Sequence, residues 1–257
     1  MEIALGIMLP FIGTVIGTSI VFLMKNFLNK NIENILLGFA SGVMIAASIW
    51  SLIIPSLEIA KSQNIIEWFP AVIGFIFGVI FLIFTDISIT KFEDNLESKQ
   101  NSKTFKNCFI LYLAVTLHNI PEGMAVGVAF SGVIFGKVSM SIVEAMSLAI
   151  GIGIQNIPEG AIISMPLKSL GFSKIKSFIY GVFSGIVEPI AAVITILITS
   201  RITVILPYIL AFAAGAMMYV VTNELIPKSQ EGKKNYFGIL GITIGFLIMM
   251  ILDVALG

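Results

Sequence analysis

The sequence contains two near-identical hexapeptides whose side chains could hold a metal ion. Residues 118–123 read His-Asn-Ile-Pro-Glu-Gly, and residues 155–160 read Gln-Asn-Ile-Pro-Glu-Gly. Each copy lies within an apolar stretch long enough to cross a bilayer. A charged side chain at membrane depth costs about 3 kcal/mol or more, so such residues usually serve a function. Two matching clusters therefore predict one shared site built from two facing helices.

Helical spacing brings the polar side chains of each hexapeptide together. Residues four apart lie on one face of a helix, so an imidazole or amide and a carboxylate share that face in each copy. Pro121 and Pro158 lack an N–H and disturb the helix at the same place. A third acidic residue also stands next to a proline, in a later apolar stretch. The candidate metal ligands are His118, Asn119, Glu122, Gln155, Asn156, Glu159 and Glu188.

These side chains suit divalent transition metals. Buried carboxylates cannot all stay ionised without compensation, so either protons or metal cations must neutralise them. Imidazole, carboxylate and amide oxygen together favour Zn²⁺, Fe²⁺, Mn²⁺ or Co²⁺, and the near-absence of thiols disfavours Cu⁺. A single buried His or Asn often serves only as a hydrogen-bonding group between helices, but its duplication in one pattern is hard to explain in that way.

Composition identifies an integral membrane protein. Of 257 residues, 57% are hydrophobic and only 12% are charged, against about 25% charged residues in soluble domains. The net charge of zero suggests no nucleic-acid partner. The lone Cys108 excludes an internal disulfide and a Cys-rich metal site. The first apolar stretch is long and follows no basic segment, so we expect a membrane helix rather than a cleaved signal peptide.

Polar breaks divide the chain into eight predicted membrane spans within a single transmembrane domain, residues 1–257. A spanning helix needs roughly 20 apolar residues, so eight use almost the whole chain. The connection 91–106 is polar and mixed in charge, which predicts a flexible cytoplasmic loop with no site of its own. The predicted spans are 3–25, 33–60, 66–90, 107–134, 138–165, 171–200, 203–227 and 234–256.

The distribution of basic residues predicts the orientation. Loops after the odd-numbered spans hold most of the 15 lysines and arginines, and basic loops stay in the cytoplasm. Both termini should therefore be extracytoplasmic. The cytoplasmic residues are Lys25, Lys30, Lys91, Lys99, Lys103, Lys106, Lys168, Lys174, Lys176, Lys228, Lys233 and Lys234, whereas Lys61, Lys137 and Arg201 lie on the other side.

A second internal similarity links span two to span seven. Residues 39–44 read Phe-Ala-Ser-Gly-Val-Met, and residues 212–217 read Phe-Ala-Ala-Gly-Ala-Met. A proline follows near the end of each helix, at Pro55 and Pro227. Similar sequence in helices that run in opposite directions indicates an inverted repeat, which is common in transporters with a midplane site. The alternative is that two helices independently use small residues for packing.

Together these motifs resemble the ZIP family (Zrt-, Irt-like proteins) of divalent-metal transporters, over all eight spans. The resemblance implies an all-α membrane fold with a 3+2+3 arrangement, in which spans 1–3 and 6–8 are inverted repeats. It also implies a binuclear metal site. The first metal would be bound by His118, Glu122, Gln155 and Glu159, and the second by Asn119, Glu122, Asn156, Glu159 and Glu188.

The chain departs from the family pattern at specific positions. Many members have His where this chain has Gln155, a neutral and weaker ligand that could favour Fe²⁺ or Mn²⁺ or speed release. The span-seven motif of the family has His-Glu or Glu-Glu before Ile-Pro, and Asn223 and Glu224 are the matching candidates for an exit site. Near the outer face, Glu58 and Glu144 are candidates for attracting incoming cations, although solvated charge at helix ends is the commoner explanation for such residues.

The sequence thus predicts a non-enzymatic transporter that moves divalent metals across the cell membrane into the cytoplasm. The cargo would be zinc, with iron, manganese, cobalt and cadmium as alternatives, and no cofactor is expected. The membrane would be a plasma or bacterial inner membrane, and a homodimer is compatible with the sequence. The rival functions are an intramembrane metalloenzyme and a metal-sensing receptor. The zinc-protease motif His-Glu-x-x-His and the di-iron pair Glu-x-x-His are both absent from the sequence.

Overall fold

The protein folds into long helices joined by short connections. The computed structural model describes residues 2–23, 29–97, 103–136, 141–169, 171–201, 203–232 and 236–256, and these residues form helices and turns without β-strands. The α-helices are α1 (Glu2–Leu23), α2 (Lys30–Ala47), α3 (Ile54–Ser62), α4 (Trp68–Glu97), α5 (Lys103–Phe135), α6 (Ile142–Ser169), α7 (Lys174–Gly185), α8 (Val187–Arg201), α9 (Leu206–Val220), α10 (Ile226–Ser229) and α11 (Tyr236–Leu256).

Seven helical rods in the described part of the chain are long and apolar enough to cross a membrane. Their outer faces expose large apolar side chains, among them Phe77 (60% exposed), Leu197 (63%) and Ile251 (58%). Such faces are stable only against lipid or another apolar surface. The first hexapeptide lies in α5, a helix of 33 residues, and the second lies in α6.

The polar segment after the third predicted span is more helical than expected. Helix α4 continues to Glu97, and α5 begins at Lys103. Hydropathy locates the apolar part of a helix, but it does not locate the end of a helix that continues into a polar environment. The centre of the predicted 91–106 loop, residues 98–102, lies outside the described residues.

Two short π-helical segments interrupt rods of similar sequence. Residues Ser48–Ile53 connect α2 to α3, and residues Val221–Leu225 connect α9 to α10. In each, the following backbone N–H bonds a carbonyl five residues back, from Ile54 to Ile49 and from Ile226 to Val221. Pro55 and Pro227 follow immediately, and because proline has no N–H, the regular ladder cannot continue through them.

The packing of the two similar rods is also duplicated. A Cβ atom at Gly78 of α4 would lie 2.1 Å from the carbonyl oxygen of Phe212 in α9, and one at Gly245 of α11 would lie 2.1 Å from that of Phe39 in α2. Phe39 and Phe212 are the equivalent first residues of the 39–44 and 212–217 segments. The α4 contact on α9 therefore has the same form as the α11 contact on α2.

The third acidic residue of the predicted site lies at a helix break. Helix α7 ends at Gly185, and α8 begins at Val187, directly before Glu188 and Pro189. Gly123 of α5 packs against this break so closely that a Cβ atom there would lie 2.2 Å from the carbonyl oxygen of Glu188. Broken helices at membrane depth are tolerated where they line a buried site.

Candidate metal centre

Four helices bring several polar residues of the two hexapeptides together with Glu188 in the interior. Gln155 Nε2 of α6 donates a hydrogen bond to Glu122 Oε1 of α5 over 2.9 Å. Asn156 Nδ2 donates to Glu188 Oε1 over 3.0 Å, and Thr14 Oγ1 of α1 donates to the same oxygen over 3.1 Å. We name Glu122, Gln155, Asn156, Glu159 and Glu188 the carboxylate cluster.

The side chains of the cluster are buried or partly buried, and each has an oxygen atom without a hydrogen-bond partner in the described part of the chain. Glu122, Gln155, Asn156 and Glu188 are each at most 1% exposed, and Glu159 is partly buried. Among the described residues, one buried atom in each has no hydrogen-bond partner; these atoms are Glu122 Oε2, Gln155 Oε1, Asn156 Oδ1, Glu159 Oε1 and Glu188 Oε2. Buried polar atoms are rarely left without a partner in native structures. Carboxylate and amide oxygens are ligand types that hard or borderline cations accept.

The three carboxylates of the cluster lie close enough to interact electrostatically. Glu122 lies within range of Glu188, and Glu159 lies within range of both. Three negative charges in an apolar interior repel one another strongly, because the low dielectric does not screen them. A divalent cation bound among them would remove most of that repulsion.

The other two predicted ligands of α5 point to different neighbours. Asn119 Nδ2 donates to the carbonyl oxygen of Ser184 at the α7 break over 3.1 Å, which leaves its buried Oδ1 without a partner among the described residues. His118 Nε2 lies 3.3 Å from Glu224 Oε1 and 3.9 Å from Asp86 Oδ1. The histidine therefore belongs to a second group of ligands, one turn away from Glu122 along α5.

This second group is a candidate metal site. Single ligand atoms of Asp86, His118 and Glu224 all lie within 4.8 Å of one another. His118 Nε2 is buried without a partner in hydrogen-bonding geometry, although Glu224 Oε1 is near. We name these three residues the Asp86 triad.

Donors from the protein hold the outer oxygen of each triad carboxylate. The hydroxyl of Tyr219 donates to Asp86 Oδ2 over 2.6 Å, and Asn223 Nδ2 donates to the same oxygen over 3.3 Å. Lys228 Nζ lies 3.0 Å from Glu224 Oε2. Asp86 Oδ1 and Glu224 Oε1 are then the oxygens that face His118.

Asp86 was not among the residues predicted from the sequence, although two signals were present. Asp86 is the single acidic residue in the apolar stretch 68–90. It also belongs to a repeated spacing, because Gly74, Gly78 and Asp86 in α4 have the same separations as Gly241, Gly245 and Asp253 in α11. Asp253 was not among the residues predicted from the sequence either.

Asp253 occupies the equivalent place on the other repeated rod. Ser51, in the first π-helical segment, donates to Asp253 Oδ1 over 2.7 Å, and Asp253 Oδ2 is buried without a partner among the described residues. Each π-helical segment thus presents a polar side chain beside an aspartate of a neighbouring helix. In the second segment this side chain is Asn223, whose amide donates a hydrogen bond to Asp86.

The two glutamates predicted to lie near the outer face have simpler surroundings. Glu58 is exposed on α3. Glu144 accepts a hydrogen bond from the backbone N–H of Ser141, while its own N–H donates to Ser141 Oγ over 3.1 Å. This reciprocal pair is a capping box, which satisfies free N–H groups at the start of α6.

Comparison with known proteins identifies the family. The family model described as ZIP zinc transporter matches residues 93–253. The chain is a member of the ZIP family. It is 33% identical to the zinc transporter ZIP11 of Xenopus tropicalis over 98% of this chain and 96% of that protein. It is 32% identical to ZIP11 of Homo sapiens, over 95% and 94% of the two chains.

A bacterial relative is similar in sequence as well. The zinc transporter GufA of Myxococcus xanthus is 34% identical over 81% of this chain and 81% of that protein. As a ZIP member, this chain is a multi-pass protein of a plasma or bacterial inner membrane, and it belongs to a family of transporters rather than enzymes. The metalloenzyme alternative is therefore set aside. The predicted family resemblance and the membrane localisation are both confirmed.

Proposed function

We propose that this protein moves divalent metal cations across the membrane into the cytoplasm through the carboxylate cluster. The observation that carries the proposal is the set of five unpaired, buried oxygens on residues from α5, α6 and α8. Zinc is the leading cargo because the relatives are named zinc transporters. Iron, manganese, cobalt and cadmium are the alternatives that the same oxygen and imidazole ligands could accept.

The cluster offers enough ligand atoms to bind two metals that share Glu122 and Glu159. One metal would lie toward His118 and Gln155, and the other toward Asn119, Asn156 and Glu188. Three carboxylates against two divalent cations leave a small positive balance, which the many oxygen dipoles around the site can accept. A binuclear site is therefore chemically consistent with the unpaired atoms.

After leaving the carboxylate cluster, the metal would bind next at the Asp86 triad, on the cytoplasmic side of the cluster. His118 of the triad lies one helical turn from Glu122 of the cluster on α5, and Glu159 lies within electrostatic range of Glu224. A cation that leaves the carboxylate cluster could thus be received by Glu224 without crossing an apolar gap. We propose that the triad, rather than Asn223, supplies the exit ligands, because the Asn223 amide donates its N–H to Asp86.

The proposed topology is the predicted one, with eight spans and both termini extracytoplasmic. The duplicated π-helical segments, the matching glycine contacts and the repeated Gly-x₃-Gly-x₇-Asp spacing support an inverted repeat of spans 1–3 and 6–8. In that arrangement, α5 and α6 lie between the repeats, and the hexapeptides meet near the middle of the bilayer.

Uptake by purified protein in liposomes tests the proposed function. The liposomes would contain a metal-sensitive fluorophore, and the outside would receive Zn²⁺, Fe²⁺, Mn²⁺, Co²⁺ or Cd²⁺ in turn. Net accumulation of at least one metal, above that of protein-free liposomes, is the expected result. A receptor that only binds metal would saturate at a fixed ratio of metal to protein, and that result would reject transport.

The Gln155→His variant tests which residue sets the choice of metal. Gln155 donates its Nε2 proton to Glu122 and presents a neutral Oε1 as its remaining ligand atom. An imidazole nitrogen binds zinc more strongly than an amide oxygen does. We expect zinc uptake to gain about tenfold relative to manganese uptake in the same liposomes.

Gln63→His is the control for Gln155→His, because Gln63 lies at the end of α3 and outside both groups of ligands. It should leave the ratio of zinc to manganese uptake unchanged. An unchanged ratio in Gln155→His itself would show that position 155 does not tune selectivity.

The Asp86→Asn variant tests the exit ligands. Loss of one carboxylate from the triad should lower the maximal uptake rate by about tenfold, because outer-shell changes alone cost roughly 10–100-fold at metal sites. Asn223→Ala removes only a 3.3 Å hydrogen bond to Asp86 and should cost much less. Equal rates for Asp86→Asn and the wild type would exclude the triad from the path.

A further inference from the structure

Lys228 places a positive charge beside the Asp86 triad. Its Nζ atom lies 3.0 Å from Glu224 Oε2, one helical turn away across Pro227. The lysine side chain is 45% exposed, and that of Glu224 is 21% exposed. Lys228 also lies within electrostatic range of Asp86. The ammonium group therefore acts on both carboxylates of the triad.

The lysine limits how tightly the triad can bind a cation. The two carboxylates would otherwise carry a combined charge of about −2, and the ammonium offsets about one of these charges. The hydrogen bond of Lys228 to Oε2 also leaves Glu224 with a single oxygen, Oε1, toward His118. A carboxylate held in this way presents one oxygen to a metal more readily than two, and binding through one oxygen is weaker.

We propose that Lys228 is a positioning and affinity-setting residue that keeps metal binding at the triad weak, so that the cation leaves quickly for the cytoplasm. This inference rests on the proposed transport function and assigns the control of release to one side chain. A path that binds its ion must also let it go, so the last site needs to be weaker than the interior one. The carboxylate cluster has no comparable lysine among its hydrogen-bonded neighbours in the described residues.

The test is a Zn²⁺ titration of purified full-length protein against a chromophoric chelator. The variants are built in the background Glu122→Gln/Glu159→Gln, which disables the carboxylate cluster and leaves the triad. Adding Lys228→Gln should tighten Zn²⁺ binding by about threefold to tenfold, the range expected for a partly screened unit charge near the metal. Adding Lys228→Arg, which keeps the charge, should leave the affinity near that of the background.

Lys30→Gln is a matched control for Lys228→Gln. Lys30 is 44% exposed and also lies 3.0 Å from a glutamate oxygen, that of Glu231, but neither residue belongs to the triad. Its substitution should not change Zn²⁺ affinity. Asp86→Asn in the same background should abolish the measured binding and, with it, any effect of Lys228→Gln.

Liposome uptake gives a second reading that a merely structural defect would not reproduce. With the carboxylate cluster intact, Lys228→Gln should lower the maximal rate and the KM together, because the metal binds more tightly and leaves more slowly. Unchanged or weaker Zn²⁺ binding by Lys228→Gln, or no triad binding in the background, would overturn the inference. If wild-type liposomes accumulated no metal, transport itself would fail, whereas the titration would still report on Lys228.

Discussion

Replacing either Glu122 or Glu159 with glutamine should reduce metal uptake by about 100-fold or more. Each is a carboxylate of the cluster with one unpaired buried oxygen, and each is proposed to bridge both metals. Glutamine keeps the size of the side chain but removes the negative charge that attracts the cation. Because loss of an outer-shell partner already costs roughly 10–100-fold at metal sites, loss of a bridging ligand should cost at least as much.

Initial rates in liposomes, normalised to the amount of inserted protein, would measure this effect. Glu33→Gln is the control, since Glu33 is 33% exposed and pairs with Lys30 at the start of α2. It should retain the wild-type rate. Normal uptake by both Glu122→Gln and Glu159→Gln would mean that the metal takes another path.

Gly123→Ala should impair transport and stability together. The added Cβ would lie 2.2 Å from the carbonyl oxygen of Glu188 and 2.7 Å from its Cα, so the backbone of α8 must move away from α5. Overpacking of this kind costs about 1–3 kcal/mol. Because Asn156 and Thr14 hold the Glu188 carboxylate at 3.0 Å and 3.1 Å, a shift of α8 breaks the cluster. We expect uptake to fall by about tenfold or more.

Thermal unfolding in detergent and uptake in liposomes would measure the two consequences of Gly123→Ala. Gly136→Asn provides the comparison, because Gly136 has a φ of +59° and a Cβ added there would meet no atom within 4 Å. Asparagine tolerates this backbone conformation better than most residues do. A Gly123→Ala protein as stable and as active as Gly136→Asn would contradict the close packing of α5 on α8.

The main elements of the fold follow from the sequence because their signals are local. The apolar stretches of the sequence predicted long helices, seven of which in the described residues are apolar enough to cross a membrane. The two hexapeptides predicted that α5 and α6 share polar residues. The structure places Gln155 of α6 on Glu122 of α5, as that repetition suggested. The role of these residues as metal ligands stays a prediction until metal binding is measured.

Non-local arrangements account for the features that the sequence patterns did not predict. The family resemblance implied that His118 and Glu122, which share a helix face, bind the same metal. The structure also places His118 within 4 Å of Glu224 and Asp86, two residues from other helices. Spacing within one helix cannot show which residues of distant helices will approach it.

The break between α7 and α8 was equally difficult to derive from spacing alone. The sequence predicted one continuous span over 171–200, with Glu188 beside a proline. In the structure, the helix breaks at Ile186, where Gly123 of another helix packs against Glu188. Pro189 marks a position where a helix is easily interrupted. The spacing of residues does not show that Gly123 of α5 packs against this position.

Location of bound metal in the protein tests the central claim most directly. Anomalous scattering from crystals grown with Zn²⁺ would show each metal without reference to transport. We predict a peak about 2.0–2.2 Å from carboxylate oxygens of Glu122 and Glu159. Metal found only at surface sites, in crystals of protein that is active in uptake, would contradict the proposed site.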